Sequence, residues 1–146
     1  MKEIAQAAVV SSLDFPRDRD AIVTTDLDFP SVRYLRQDNK GLSVARNVAA
    51  AAARGEIVAY TDDDCVAHEA WLTHLVRAMR EQQVDAIGGP NLPPASDGWV
   101  AKCVAASPGG PSHVMLDDRR AEHVPGCNMA FRREALLALG GFDVQF

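Results

Sequence analysis

Apolar residues along the chain fall into two spacings, one typical of buried strands and the other of amphipathic helices. Short apolar runs bounded by polar or turn-forming residues predict strands, as in EIVAYT and VDAIGG. The predicted strands lie at 21–25, 32–36, 56–61, 84–89 and 126–131. Their length and apolar character are those of strands buried within a sheet.

Helical spacing is clearest within 68–83, where Leu72, Leu75, Val76 and Met79 recur on one face. The alanine-rich segment before it has high helix propensity. The other predicted helices lie at 3–13, from the N-cap Ser43 to the stop at Gly55, at 99–106, and from Arg132 to the stop at Gly140 and Gly141. Strands that alternate with helices at this distance predict an α/β architecture with a mainly parallel sheet.

The overall composition is that of one soluble domain spanning residues 1–146, with 47% hydrophobic and 24% charged residues. A net charge of -5 argues against nucleic acid as a partner, because no basic face remains to neutralise phosphates. The three cysteines include no CxxC pair, so the sequence predicts neither a zinc knuckle nor a disulfide framework.

The apolar stretches are too short for a membrane span, the longest being VAAAAA at 48–53. The first twenty residues lack the apolar core of a signal peptide. The sequence therefore predicts a cytoplasmic protein, either free or peripheral at the inner face of the membrane.

Three consecutive aspartates, Asp62, Asp63 and Asp64, follow the strand predicted at 56–61. Ligands of open α/β sheets bind beyond the carboxyl ends of the strands, which is where these aspartates fall. A solvated acidic turn is one interpretation. The other is a site for Mg²⁺ or Mn²⁺, because like charges this close repel unless a cation offsets them. Such ions prefer oxygen ligands and usually combine one or two carboxylates with a phosphate.

Two other acidic motifs are alternatives to this interpretation. An EF-hand is excluded, because counting from Asp62 puts Ala67 and Thr73 where glycine and glutamate are required. A phosphatase of the haloacid-dehalogenase type stays open, because DDDCV fits its DxDx(T/V) motif, with Asp62 as the nucleophile. Asp117 and Asp118 are the candidates for the later acidic pair of that class.

Two long segments resemble a known family. QDNKGLSVARNVAAAAARGEIVAYTDDDCVAHEAWLTHLVRAM at 37–79 is similar to the central block of family-2 glycosyltransferases of the GT-A fold, with its GLSxARN, DxD and xxWL motifs. GCNMAFRREALLALGGFDVQF at 126–146 resembles the family's GxNMAFRRExLxxxGGFDxxF stretch, and AIGGPNLPP at 86–94 lies where its next strand is expected.

The resemblance implies a GT-A-type, Rossmann-like three-layer sandwich with a mainly parallel central sheet. It also implies transfer of a sugar, generally with inversion, from a nucleotide-diphosphate donor to an acceptor hydroxyl. The acceptor class, whether saccharide, lipid or protein, is left open. The implied cofactor is a divalent metal, Mn²⁺ or Mg²⁺, and the implied partner is the nucleotide-sugar donor.

The resemblance also assigns roles to the residues around the aspartates. Asp62 and Asp64 would hold the metal, and Asp62 and Asp63 would contact the donor nucleotide. Arg46 would face the phosphates, beside a helix N-terminus that favours anions. Asn47 would support the same loop.

Three further residues are assigned to the donor-sugar and acceptor side. Gly126 and Asn128 would line it, and Asp143 would be its catalytic carboxylate. An inverting transfer needs a base to take the proton of the acceptor. In the family that base belongs to a second acidic motif, often ED, whose place comes after Phe146.

The chain departs from the family pattern at its start as well. The opening strand VSVVIPTYN has no counterpart, and AIVTTDLDF stands where the family has VVDDGS, with Asp26 or Asp28 as the replacement acid. The sequence therefore predicts a domain incomplete at both ends, whose exposed sheet edge favours self-association. The competing hypothesis is a non-catalytic fragment or pseudoenzyme that binds metal and nucleotide weakly.

Overall fold

The structure is a computed structural model, and it describes residues 9–10, 35, 37–94, 96–107 and 124–145. Four strands and four helices lie within these residues. They are β1 (Val9–Val10), α1 (Leu42–Ala52), β2 (Ile57–Tyr60), α2 (Trp71–Gln82), β3 (Ala86–Gly88), α3 (Trp99–Ala105), β4 (Met129–Arg132) and α4 (Arg133–Ala138).

The four strands form one sheet in the order β1-β2-β4-β3. β1 pairs with β2 in parallel, whereas β4 lies between β2 and β3 and is antiparallel to both. The mainly parallel sheet predicted from the sequence is therefore not confirmed, since two of the three described pairings are antiparallel. The reason lies in β4, which enters the sheet between two strands that run in the opposite direction.

Helices cover both faces of this sheet and give three layers. On one face Ala50 of α1, Ala53 directly after it and Leu136 of α4 pack against the side chains of Val58 and Tyr60. On the other face α2 packs through Leu75 and Met79 against Ile57, Ala59 and Ala130. All four residues of β2 are buried, as expected for a strand covered on both sides.

The elements predicted before residue 37 are either wrong or lie outside the described residues. The helix predicted over 3–13 is wrong at Val9–Val10, which form β1. The remainder of that range lies outside the described residues, as does the strand predicted at 21–25. Of the strand predicted at 32–36, the structure describes Leu35, which is exposed and outside any strand.

The limits of α1 also differ from the prediction. Its N-cap is Gly41, not Ser43, and no side chain caps the helix there. Gly41 has a φ of 90°, a backbone angle that glycine adopts without strain. The helix ends at Ala52, before the predicted stop at Gly55. Elsewhere the predicted helices and strands are confirmed to within a few residues.

No helix in the described ranges has both the length and the apolar character needed to cross a membrane.

Candidate functional site at one edge of the sheet

The ends of three strands meet at one edge of the sheet. Tyr60, the last residue of β2, and Gly88, the last residue of β3, both pair with Met129, the first residue of β4. Because β4 is antiparallel to its neighbours, the residues that precede it arrive beside the residues that follow β2 and β3. If β4 were parallel to its neighbours, Gly126 and Asn128 would lie at the opposite edge. The antiparallel direction of β4 therefore brings them close to the aspartates.

The three aspartates form a turn directly after β2, which we call the aspartate turn (Asp62–Asp64). Asp62 is half-buried, whereas Asp63 and Asp64 are exposed. The N–H of Cys65 donates to the carbonyl oxygen of Asp62 at 3.3 Å and closes the turn. The Cys65 thiol lies 3.7 Å from Oδ1 of Asp64. The turn therefore offers carboxylate oxygens to a ligand at the edge of the sheet.

These carboxylates suit a hard divalent cation by their chemistry, since all the available donors are oxygens. Within the described residues, no three His, Cys, Asp or Glu side chains are arranged to hold a metal ion unaided. Mg²⁺ and Mn²⁺ sites built with substrate phosphates need only one or two protein carboxylates. The aspartate turn fits that kind of site, with a phosphate-bearing ligand supplying the other contacts.

Cys65 links the aspartate turn to the segment that precedes β4. Burial raises the pKa of the Cys65 thiol to about 11, and the neighbouring Cys127 thiol adds to the shift. A thiol with so high a pKa stays protonated at neutral pH and is a poor nucleophile. The contact between Cys65 and Cys127 therefore places the aspartate turn beside residues 125–128.

Residues Pro125–Asn128, which we call the PGCN turn, lie against the guanidinium of Arg46. The N–H of Asn128 donates to the carbonyl oxygen of Pro125 at 3.1 Å and closes this turn. A Cβ added at Gly126 would overlap Nη2 of Arg46, so the absence of a side chain lets the guanidinium approach the backbone. Cζ of Arg46 also lies 5.5 Å from the centre of the Phe142 ring, within cation–π range.

Arg46 carries a positive charge that no carboxylate among the described residues pairs with. The ion pairs within the described residues use other side chains, and Arg46 takes part in none of them. The Tyr60 hydroxyl donates to the carbonyl oxygen of Arg46 at 3.2 Å. Burial raises the pKa of Tyr60 to about 12, although the charge of Arg46 acts in the opposite direction. Tyr60 therefore remains a neutral donor that supports the backbone of α1.

Asn47 ties α1 to the turn after α4. Its Nδ2 donates to the carbonyl oxygen of Phe142 at 2.8 Å, and the N–H of Phe142 donates to its Oδ1 at 2.7 Å. Phe142 in turn packs edge-to-face with Tyr60 and Phe131. Asn47 thus fixes the position of the Phe142 ring, which contacts the guanidinium of Arg46.

Asp143 follows Phe142 and is exposed. Its Oδ1 accepts a hydrogen bond from the N–H of Gln145 at 2.9 Å, which closes a local turn. The other carboxylate oxygen faces no described hydrogen-bond donor.

Asn128 makes contacts that the sequence did not reveal. Its Oδ1 accepts from Nε1 of Trp71 at 2.8 Å, and its Nδ2 donates to the carbonyl oxygen of Pro90 at 2.9 Å. Trp71 belongs to the xxWL motif, and nothing in that motif indicates a partner 57 residues away. The contact between the Phe142 ring and Arg46 was likewise not indicated by any sequence motif.

Two known proteins of similar sequence are both named as glycosyltransferases. A glucosyl-dolichyl phosphate glucuronosyltransferase of Haloferax volcanii is 30% identical over 121 residues, which cover 77% of this chain and 37% of that protein. A polypeptide N-acetylgalactosaminyltransferase 12 of Mus musculus is 40% identical over 55 residues, or 37% of this chain and 10% of that protein. The chain thus spans well under half the length of either relative. Residues 9–140 match the sequence profile of Glycosyl transferase family 2, and the chain belongs to that family of glycosyltransferases.

Proposed function

We propose that this chain transfers a sugar, with inversion, from a nucleoside diphosphate sugar to an acceptor hydroxyl. The observation that carries the proposal is the meeting of the aspartate turn, the Arg46 guanidinium and the PGCN turn at one edge of the sheet. Carboxylates for a cation and a guanidinium for phosphates are the two kinds of group that hold a diphosphate.

The aspartates and Arg46 divide the binding of the donor. Asp64, together with Asp62, is proposed to hold Mn²⁺ or Mg²⁺, and Asp62 and Asp63 to contact the nucleotide. When bound, the cation supplies positive charge to the diphosphate leaving group. Arg46 is proposed to bind the phosphates directly, because its charge is unpaired by any described carboxylate and its position is set by Phe142. An arginine so placed also stabilises negative charge that develops on the leaving group.

Gly126 and Asp143 are proposed for the sugar and acceptor side. Gly126 lies against Arg46, so a sugar attached to a diphosphate at Arg46 would meet the PGCN turn first. Asp143 is the candidate to take the proton of the acceptor hydroxyl, because it is exposed and one of its carboxylate oxygens faces no described donor.

The acceptor is proposed only as a class, a hydroxyl of a saccharide, lipid or protein. The names of the two relatives point in different directions, one to a glucosyl-dolichyl phosphate and the other to a polypeptide. Self-association through an outer strand of the sheet also remains a proposal, and β3 is an outer strand of the described sheet. Because the chain belongs to a glycosyltransferase family, we do not propose the phosphatase activity that the DDDCV motif left open.

Turnover of nucleotide sugars tests the proposed function. The chain is incubated with UDP-glucose, UDP-glucuronic acid or GDP-mannose, Mn²⁺ and a panel of saccharide, lipid and peptide acceptors. We expect release of the nucleoside diphosphate with at least one donor, and loss of this release when EDTA removes the metal. Tight binding of the diphosphate without any turnover would favour the non-catalytic alternative, and absence of both would overturn the proposal.

The Gly126→Ala variant tests the position of Arg46. A Cβ at Gly126 would overlap the end of a flexible side chain, so we expect a stability cost within about 1 kcal/mol but displacement of the guanidinium. The affinity for UDP with Mn²⁺, measured by calorimetry, should fall to that of Arg46→Ala. Gly98→Ala is the matched control, because a Cβ at Gly98 would meet nothing within 4 Å. Equal UDP affinity in the two alanine variants of glycine would contradict the proposed role of Arg46.

A further inference from the structure

One side chain, that of Asn128, joins three segments that are far apart in the sequence. Its Oδ1 binds the indole N–H of Trp71 in the first turn of α2, and its Nδ2 binds the carbonyl oxygen of Pro90 after β3. Its own carbonyl oxygen accepts from the N–H of Gly89 at 3.0 Å. The PGCN turn is thereby attached to α2 on one side and to the end of β3 on the other.

The segment that carries Asn128 packs closely against two glycines at the end of β3. A Cβ at Gly89 would lie 2.6 Å from Nδ2 of Asn128, and a Cβ at Gly88 would lie 2.6 Å from Cβ of Val124. Two adjacent glycines therefore let the chain before β4 lie directly on the backbone at the end of β3. Trp71 completes this arrangement, since its ring packs against the core formed by α2 and the sheet.

The hydrogen bond between Trp71 and Asn128, which we call the link, joins two sides of the proposed site. α2 begins shortly after the aspartate turn, so Trp71 belongs to the segment that carries the carboxylates. The PGCN turn carries Gly126, which contacts the Arg46 guanidinium. The bond between Trp71 and Asn128 thus connects the side of the site proposed to hold the cation with the side proposed to receive the sugar. Both polar groups of the Asn128 amide are engaged with protein atoms, so the amide acts through its neighbours.

We propose that Trp71 and Asn128 are positioning residues for sugar transfer, whose indole–amide hydrogen bond sets the distance between the aspartate turn and the PGCN turn. The inference rests on the proposed function and adds two residues to it. Small displacements of reacting groups lower the rate of a reaction much more than they lower ground-state binding. Weakening the link should therefore reduce kcat and leave the affinity for the nucleoside diphosphate nearly unchanged.

The Trp71→Phe variant removes the indole N–H and keeps an aromatic ring in the core. We expect kcat to fall about 10-fold to 100-fold, with KM for the donor within about twofold of wild type. The donor is the one of UDP-glucose, UDP-glucuronic acid and GDP-mannose that the wild type turns over fastest. Trp99→Phe is the matched control, because Trp99 is 75% exposed, and it should keep the wild-type kcat.

A second variant and a spectroscopic measurement separate positioning from folding. Asn128→Asp keeps an acceptor for the indole and loses the donor to Pro90, so it should lower kcat less than Trp71→Phe does, with little change in KM. The chain has two tryptophans, and in the Trp99→Phe background Trp71 alone reports on the link. Its fluorescence should change when UDP and Mn²⁺ bind.

The outcomes distinguish this inference from the proposed function. If the wild type neither binds UDP nor releases it from a donor, the proposed function fails. If the wild type is active and Trp71→Phe and Asn128→Asp keep its kcat, the positioning role is overturned. It is equally overturned if both variants lose kcat and donor affinity in proportion to a loss of folded protein.

Discussion

Sugar transfer by the Asp64→Ala variant is expected to be about 100-fold to 1,000-fold slower than that of the wild type, as for the loss of one strong electrostatic contact to a developing charge. Binding of UDP should lose its dependence on Mn²⁺ in the same variant. The physical reason is that Asp64 offers an exposed carboxylate in the aspartate turn, where its described contact is the weak one with the Cys65 thiol.

The stability of Asp64→Ala should stay close to that of the wild type, because an exposed side chain away from a buried network contributes little. Initial rates of donor turnover and thermal unfolding curves measure the two effects. Glu69→Ala is the matched control, since Glu69 is an exposed carboxylate a few residues further along the same loop. Wild-type turnover in Asp64→Ala, or an equal loss in Glu69→Ala, would contradict the metal-binding role.

Asn47→Ala is expected to lower the free energy of unfolding by about 2–6 kcal/mol, because it leaves two partly buried backbone groups of Phe142 without partners, at about 1–3 kcal/mol each. The released Phe142 ring should also cease to support Arg46, so the affinity for UDP should fall together with the stability. Denaturant unfolding followed by circular dichroism measures the first effect, and calorimetry the second.

Two further variants bracket this result. Asn47→Asp keeps the acceptor for the N–H of Phe142 and loses the donor to its carbonyl oxygen, so its stability should lie between those of Asn47→Ala and the wild type. Gln82→Ala, at an exposed position of α2, should change stability by no more than about 0.5 kcal/mol. Asn47→Ala as stable as Gln82→Ala would show that the paired hydrogen bonds do not hold the turn.

The sequence predicted most of the described elements because their patterns are long enough to read. In α2 the apolar positions repeat over three turns, and the structure buries Leu75 and Met79 of that face. In β2 the apolar run predicts a strand buried on both faces, and all four of its residues are buried. Burial of an element is thus encoded locally, in the spacing of its own side chains.

The direction of β4 and the identity of β1 were not accessible in the same way. An apolar strand reads the same whether its neighbours are parallel or antiparallel, because direction depends on how distant parts of the chain meet. The connection from α3 to β4 is long enough to allow either direction. β1 has two residues, too few for a period to be recognised, and so the helical pattern around Val9–Val10 prevailed.

The candidate site shows the same division between local and distant information. Motif resemblance indicated Arg46, Asn47, Gly126 and Asn128 by their positions in the two segments that resemble the family. It did not indicate which of them touch each other. The bonds of Asn47 span 95 residues and that between Asn128 and Trp71 spans 57, so they follow from the fold and not from any local pattern.

The antiparallel β4 has a functional consequence of its own. It brings the PGCN turn to the edge where β2 delivers the aspartate turn, although Pro125 comes 61 residues after Asp64 in the sequence. At the opposite edge, Arg132 of β4 pairs with Glu56 and Asp85 at 2.7 Å and 3.4 Å. Exposed ion pairs of this kind contribute at most about 1 kcal/mol each, so that edge is held mainly by the strand pairing.

Isothermal titration calorimetry of the wild-type chain with UDP and GDP, first with Mn²⁺ and then after its removal by EDTA, tests most directly whether the aspartate turn binds a diphosphate through a divalent cation. We expect at least one of the two nucleotides to bind at least about tenfold more tightly with Mn²⁺, a difference of about 1.4 kcal/mol. Equal affinities with and without the metal, for both nucleotides, would contradict the proposed role of the aspartates.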